Sequence, residues 1–221
     1  MFEMKTVYFV RHGETPNNAE RRFNFPDTPL SETGRKQAEE IAKRCSKLSL
    51  EFIVASSMKR ACQTASIISE RVGIEFGSSD VFVEGTYTSR FFGKSTRDPE
   101  VGAIIKTCWE NFSNPDFRLE DGENFSDLRN RALAALEYLS NRKENNILVV
   151  SHAFFISIVV SVAVFGPNIL PDECQGVVRG FDLMENAGLT VLTYDAPIHK
   201  SIGEPISPWQ LKVWNDHAHL G

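Results

Sequence analysis

The sequence predicts an α/β fold, a three-layer α/β/α sandwich built on a mainly parallel sheet. Short apolar runs typical of buried strands alternate with segments of helical periodicity, and polar residues follow several of these runs directly. Such alternation favours a parallel sheet covered on both faces. The 221 residues suffice for one such unit, and we predict a single domain over residues 1–221.

The predicted strands are short runs rich in apolar residues. They cover residues 6–10, 51–55, 81–83, 147–150, 178–183 and 189–194. One of them begins a stretch of nineteen residues without a formal charge, 147–165, which is long enough for a membrane span. Because that stretch contains His152 and several serines, we interpret it as a buried strand followed by a buried helix.

Helices are predicted where apolar residues repeat at intervals of three and four. Ser31 or Thr33 is the expected N-cap of the first helix, and Asn124 or Ser126 that of the third. The apolar stripes are Ala38, Ile41, Ala42, Cys45 and Leu48 in the first helix, Ala61, Ala65, Ile68 and Val72 in the second, and Leu128, Ala132, Ala135, Leu136 and Leu139 in the third.

Residues 85–125 interrupt this alternation and are rich in aromatic and charged side chains. We predict a helical and loop insertion that lies over the carboxyl-end edge of the sheet and covers the site. Its aromatic residues either line the entrance to that site or form a small core of their own. They include Phe91, Phe92, Trp109 and Phe112. Residues 196–221, with three prolines, are predicted to be a tail that wraps the surface.

Composition excludes several classes of protein. A formal net charge of −5, with 42% hydrophobic and 24% charged residues, indicates a globular protein that is no general nucleic-acid binder. The four cysteines form no CxxC pair and are expected to be reduced and structural. With no secretory signal at the N-terminus, we expect a cytoplasmic protein without a membrane partner. The sequence carries no signal for oligomeric state, and a homodimer stays a hypothesis.

The polar residues of interest fall at strand ends, where folds of this class bind ligands. Arg11 and His12 follow the first predicted strand, and Arg60 opens the helix after the second. Glu84 follows the third predicted strand, and His152 ends the fourth. Arginine forks suit phosphate oxygens, and a neutral imidazole is a good nucleophile. Solvated polar residues at strand ends are the alternative, but their convergence on one edge favours a histidine that attacks phosphorus.

Motifs along nearly the whole chain strengthen this interpretation. They are Arg11-His12-Gly13-Glu14-Thr15-x-x-Asn18, Leu30-Ser31-x-x-Gly34-x-x-Gln37-Ala38, Ser56-x-x-x-Arg60-Ala61-x-Gln63-Thr64-Ala65, Gly122-Glu123, Val149-Val150-Ser151-His152 and Trp214-Asn215-Asp216-x-x-His219-Leu220. In type and order they resemble the histidine phosphatase superfamily, also called phosphoglycerate-mutase-like. The resemblance implies a phosphohistidine intermediate on His12, with phosphoryl oxygens held by Arg11, Arg60 and His152.

The general acid is assigned to Glu84, because it follows the third predicted strand as the acid of the superfamily does. Asp80 and Glu75 are competing carboxylates, and Glu14 is expected to be a structural partner within its loop. Two arginines beside His12 should disfavour its charged form and keep it nucleophilic at neutral pH.

Further candidates for binding the phosphate or the rest of the substrate are Asn18, Thr15, Arg90 and Asn124. Asn124 stands where the superfamily more often has serine, at the start of a helix whose amides could face an anion. Arg90, or alternatively Lys94 or Arg97, would bind a second anionic group. We expect no metal and no cofactor, because the cationic side chains can neutralise the phosphoryl group. His217-x-His219 is interpreted as a structural feature of the tail.

Three functions remain open. The sequence favours a phosphomonoesterase acting on a small phosphorylated metabolite, since residues 85–125 hold no Arg-Arg pair and Glu84 is not followed by Arg-x-x-Gly. An Arg-Arg pair in this region and Arg-x-x-Gly after the acid are typical of cofactor-dependent phosphoglycerate mutases, which are the alternative. An inactive module that binds a phospholigand is the third hypothesis, disfavoured because none of the expected catalytic residues is missing.

Overall fold

The computed structural model describes residues 4–182, 184–195 and 207–221 and contains a six-stranded sheet with helices on both faces. The predicted α/β fold class is confirmed. The strands are β1 Lys5–Arg11, β2 Phe52–Ser56, β3 Phe76–Ser79, β4 Asn146–Ser151, β5 Leu189–Tyr194 and β6 Trp209–Asp216. Their order is β3-β2-β4-β1-β5-β6; the first four are mutually parallel, whereas β5 and β6 are antiparallel to their neighbours.

The helices of the described residues are α1 Pro16–Ala19, α2 Glu32–Cys45, α3 Lys59–Val72, α4 Pro99–Glu110, α5 Phe125–Ser140, α6 Ala153–Phe165 and α7 Pro171–Gly180. Ser31 is the N-cap of α2, and its Oγ accepts a hydrogen bond from Gly34 N at 2.9 Å. Asn124 caps α5 in the same way through Asp127 N. One residue of each predicted pair of caps is therefore confirmed.

Side chains alternate between the two faces of the sheet and build two halves of the core. Helices α5 and α6 cover one face, and α2 and α3 cover the other. In β1, Phe9 packs towards the first pair of helices and Val10 towards the second. The uncharged stretch 147–165 divides between β4 and α6, as predicted. No helix of the described residues has the length and apolar character needed to cross a bilayer.

Two predicted strands are wrong. Residues 81 and 82 belong to a 3₁₀ helix, Asp80–Phe82, which Val83 caps, and the strand β3 comes before this helix. Phe82 is fully buried against Tyr138, so the apolar character of this run reflects core packing. Residues 178–180 form the last turn of helix α7. This helix is capped at its other end, where Glu173 accepts a hydrogen bond from Leu170 N. Leu183, the end of that predicted strand, lies outside the described residues.

The predicted tail also differs from the structure where it is described. Residues 209–216 form the edge strand β6, paired with β5. Asp216 accepts from Arg44 of α2 at 2.5 Å, which holds the end of the chain against the sheet. The prediction for residues 196–206 falls outside the described residues.

The insertion at 85–125 contains the 3₁₀ helix Ser89–Phe91, helix α4 and connecting loops. Backbone hydrogen bonds tie it to the loop after α1: Gly93 N donates to Phe23 O at 2.9 Å, and Phe23 N donates to Lys94 O at 3.0 Å. Because that loop follows the end of β1, the insertion lies across the carboxyl ends of the parallel strands, as predicted.

Candidate active site

His12 stands directly after β1 and is almost completely buried, with 2% of its surface exposed. Its Nδ1 lies 2.7 Å from Gly13 O, and a carbonyl oxygen can only accept, so Nδ1 carries the hydrogen. The lone pair is therefore on Nε2, which accepts a hydrogen bond from Arg60 Nε at 3.1 Å. Burial, followed by the charges of Arg60 and Arg11, holds the pKa of His12 well below 6.5. His12 is thus a neutral imidazole whose lone pair is at a defined atom, Nε2.

Arg60 and Arg11 place two guanidinium groups beside this imidazole. Arg60 lies in the first turn of α3, 3% exposed, and its Nη1 donates to Phe25 O at 3.1 Å. Burial lowers the pKa of Arg60 to about 10, so it remains charged at neutral pH. Arg11 Nη1 donates to Met184 O, whereas its buried Nε has no hydrogen-bond partner among the described residues. An unpaired buried donor is costly, and an anion would satisfy it.

His152 precedes α6 and is fully buried, and its ring centroid lies 5.1 Å from that of His12. Its Nε2 lies 2.8 Å from Ser56 Oγ at the end of β2, and Met58 N donates to the same oxygen at 3.2 Å. When the Ser56 hydroxyl donates to Nε2, the ring hydrogen is on Nδ1. That Nδ1 is buried and unpartnered within the described part of the chain, and it can donate to a phosphoryl oxygen. Burial, then the charge of Arg60, holds the pKa of His152 well below 6.5.

Glu84 faces the same cavity, although it follows the 3₁₀ helix and not a strand. Its Oε1 accepts from Phe155 N of α6 and from Gly85 N, each at 3.0 Å. Burial raises the pKa of Glu84 above 4.5, against the opposing charges of Arg60 and Arg11 and the two backbone hydrogen bonds. A raised pKa is what a carboxyl group needs in order to hold a proton for delivery.

The competing carboxylates lie elsewhere. Asp80 is exposed and accepts from Ser57 Oγ, and Glu75 is exposed on the loop before β3. Glu14 accepts from Ser31 Oγ at 2.7 Å, which is the loop partnership expected of it.

The short helix α1 contributes Asn18 to the cavity wall. Asn18 Oδ1 accepts from Thr15 N at 3.2 Å, so its amide NH₂ is the end available to a phosphoryl oxygen. Asn186, which the sequence analysis missed, donates to His12 O at 3.0 Å and holds the nucleophile's backbone in place.

Three sequence-predicted binding residues are not brought to the cavity, and their polar atoms are used elsewhere. Thr15 is the buried N-cap of α1, and its Oγ1 donates to Asn24 Oδ1 at 2.7 Å. Arg90 is exposed and pairs with Glu120 at 3.1 Å. Asn124 is engaged as the N-cap of α5, and its Nδ2 donates to Pro115 O at 3.0 Å.

The cavity has a volume of about 390 Å³, within the range of small-molecule sites. Arg11, His12, Arg60 and Glu84 line it. Phe91, Phe92 and Trp109 of the insertion line it as well, as one of the two alternatives predicted. Phe112 follows the other alternative, since it packs on Trp109 and Phe125 outside this cavity.

Tyr87 and Phe154 are among the wall residues that sequence reasoning missed, and Ser56, which it placed in a motif, was not recognised as the partner of His152. The strand-end rule that identified His12 could have found Ser56, because it ends β2. Phe154 could have been found by its position two residues after His152.

No group of three or more His, Cys, Asp or Glu side chains within residues 4–182, 184–195 and 207–221 could hold a metal ion. His217 and His219 are engaged in the C-terminal segment. His217 Nδ1 lies 2.8 Å from Asn215 O, and His219 Nε2 lies 3.1 Å from Ala187 O.

A family model described as histidine phosphatase superfamily (branch 1) matches residues 7–197. The chain belongs to the histidine phosphatase superfamily. This superfamily member is 35% identical over 230 residues to a probable phosphoglycerate mutase GpmB from Enterobacter sp. (strain 638), covering 98% of this chain and 95% of that protein. It is 28% identical over 232 residues to a protein of the same name from Escherichia coli (strain K12 / DH10B), with the same coverage of 98% and 95%.

Solved structures show the same superfamily fold. Bacillus stearothermophilus YhfR matches with a TM-score of 0.77 and 25% identity, covering 98% of this chain and 100% of that one. A mycobacterial glucosyl-3-phosphoglycerate phosphatase in complex with VO₃ matches with a TM-score of 0.74 and 23% identity, covering 96% and 98%.

Proposed function

We propose that this superfamily member is a phosphomonoesterase that works through a phosphohistidine on His12 and requires no metal. The observation that carries the proposal is the state of His12: a buried, neutral ring whose Nε2 lone pair is defined by the hydrogen bond from Nδ1 to Gly13 O. Arg11, Arg60 and the free Nδ1 of His152 supply the positive charge and donors that the phosphoryl oxygens need.

In the first half-reaction, His12 Nε2 attacks phosphorus in line and the bond from phosphorus to the ester oxygen breaks. Arg60 Nε occupies that lone pair in the free protein, so substrate binding must transfer its hydrogen bond to a phosphoryl oxygen. The Glu84 carboxyl group gives its proton to the departing oxygen, and the alcohol leaves.

In the second half-reaction, the Glu84 carboxylate takes a proton from a water molecule as the water oxygen attacks phosphorus. The bond from phosphorus to Nε2 breaks, inorganic phosphate leaves, and Glu84 is protonated again. Two displacements thus replace one, and each group ends in its starting protonation state.

A phosphoglycerate mutase is the second candidate, favoured by the 35% identity to a protein named probable phosphoglycerate mutase. A mutase must also bind the carboxylate and a second phosphate of its substrate. Apart from Arg11 and Arg60, the one cationic residue among the described residues that line the cavity is Arg22, and it already pairs with Glu20 at 2.9 Å. This charge distribution supports hydrolysis. The third hypothesis, an inactive phospholigand-binding module, is disfavoured by the complete set of catalytic groups.

The test is phosphate release from a panel of phosphorylated metabolites with chelator present, comparing wild type, His12→Ala and the control His217→Ala, a histidine exposed near the C-terminus. We expect release by wild type and by the control, none by His12→Ala, and an acid-labile phosphoenzyme in the first two. Conversion of 3-phosphoglycerate to its isomer in the presence of bisphosphoglycerate, without net phosphate release, would establish the mutase instead.

A further inference from the structure

Four aromatic residues form a wall of the catalytic cavity: Tyr87, Phe91, Trp109 and Phe154. Tyr87 stacks on Phe154 with ring centroids 5.9 Å apart and an interplanar angle of 17°. Trp109 meets Phe154 edge-on at 6.2 Å and 77°, and Phe91 lies 6.4 Å from Tyr87. All four rings line the same cavity as His12 and Glu84. Such an array binds flat apolar groups by area burial and ring stacking.

The wall begins directly beside the general acid. Gly85 follows Glu84, and a Cβ placed on Gly85 would lie 2.6 Å from Phe154 Cδ1. Because glycine has no Cβ, the Phe154 ring can lie against the backbone of the loop that contains Glu84 and Gly85. Glu84 in turn accepts from the backbone N of Phe155, the next residue of α6. The Phe154 ring therefore packs against the loop that carries the general acid.

The charges of this region are already paired. Arg22 donates to Glu20 at 2.9 Å and to Gly93 O at 3.0 Å, although it lines the cavity. Arg90 lies outside and pairs with Glu120. Within the described lining, Arg22 is thus the one cation besides Arg11 and Arg60, and the carboxylate of Glu20 already offsets its charge.

Two of the hydroxyl groups that line the cavity are engaged. Thr88 Oγ1 donates to Glu120 and is 3.0 Å from Asp121 Oδ1, and Thr96 Oγ1 donates to Arg21 O at 3.0 Å. The faces of the aromatic rings offer no hydrogen-bond donors, so hydroxyl groups of a leaving group that meet the rings would lose water without replacement.

We propose, resting on the phosphomonoesterase function above, that the preferred substrate is the phosphate ester of an alcohol bearing an apolar ring, without a second anionic group. Tyr87, Phe154 and Trp109 are the residues that determine this specificity. Small sugar phosphates and phosphoglycerates are then poor substrates, because their hydroxyls and carboxylates meet an aromatic surface.

The kinetic test uses primary-alcohol esters, so that the departing alkoxides have similar chemistry: 2-phenylethyl phosphate, glycerol 3-phosphate and 3-phosphoglycerate. We expect kcat/KM for the phenylethyl ester to exceed that for the other two esters by at least about tenfold. Burial of a phenyl ring against the wall favours binding by about this factor. Trp109→Leu and Phe154→Leu should each lose most of this preference. Phe76→Leu is the control, a half-buried aromatic residue of β3 that does not line the cavity.

A binding experiment separates the proposed substrate class from the proposed phosphatase function, because binding can be measured without turnover. Calorimetry with wild type should show 2-phenylethylphosphonate binding at least about tenfold more tightly than 2-carboxyethylphosphonate. Equal or reversed affinities, or equal kcat/KM values across the three esters, would overturn the substrate class while leaving the phosphatase intact. Selective binding of the phenyl compound without hydrolysis of any ester would refute the phosphatase function and support the aromatic subsite.

Discussion

Replacing Glu84 by glutamine removes the carboxyl proton that can be given to the leaving group and changes the size and shape of the side chain little. The amide keeps an oxygen that can accept from Phe155 N and Gly85 N, so the loop should stay in place. General acid catalysis contributes about 10²- to 10⁴-fold, and this whole factor should be lost for an alkyl phosphate, whose alkoxide cannot leave unprotonated. For p-nitrophenyl phosphate, whose phenolate leaves without a proton, the loss of the phosphorylation rate should be far smaller.

The assay is kcat/KM for both esters in wild type, Glu84→Gln and Glu14→Gln. Glu14 is the matched control, a carboxylate of the neighbouring loop that accepts from Ser31 Oγ and does not line the cavity. We expect near-wild-type kinetics in the control and a loss in Glu84→Gln that depends strongly on the leaving group. Equal losses for the two esters would refute the acid role of Glu84 and leave it a structural carboxylate.

Three further outcomes follow from the same geometry. Ser56→Ala should lower kcat/KM about two- to tenfold and weaken vanadate binding, with thermal stability measured alongside, because the tautomer of His152 loses its hydrogen-bond partner. Gly34→Ala should lower the melting temperature by an amount equivalent to about 1–3 kcal/mol, because its Cβ would collide with the Glu14 backbone, whereas Gly77→Ala meets nothing within 4 Å and serves as control. Finally, kcat/KM, corrected for protonation of the substrate phosphate (pKa about 6), should hold or rise as pH falls from about 7 to about 6, where an ordinary histidine would begin to charge; a fall that remains after this correction would show that the nucleophile's pKa is not lowered as burial implies.

The catalytic end of the cavity was predictable because it depends on a rule of topology. Parallel strands deliver their carboxyl ends to one edge, so Arg11, His12 and His152 could be placed from hydropathy alone. Arg60 followed from the helix after β2. The resemblance carried by the motifs then indicated the reaction in which these residues would take part.

The remaining differences arise where tertiary contacts override local pattern. An apolar run marks burial and does not distinguish a strand from a 3₁₀ helix, which explains the error at residues 81–83. Arg90 was expected at a second anion, but a charge on a loop is taken by whichever partner the fold brings near, here Glu120. The partnership of Ser56 with His152 joins residues 96 positions apart, and no spacing rule encodes it.

Removal of water sets the protonation states of both reacting groups, in opposite directions. Burial is the largest influence on the pKa of His12 and on that of Glu84; it lowers the first and raises the second. The arginines reinforce the shift at His12 and oppose the shift at Glu84. A neutral nucleophile and a protonated acid can therefore coexist only if the site stays dry enough for desolvation to prevail at Glu84. Phe154 and Tyr87 lie on that side of the cavity, so the rings that would bind the leaving group also keep water from the acid that releases it.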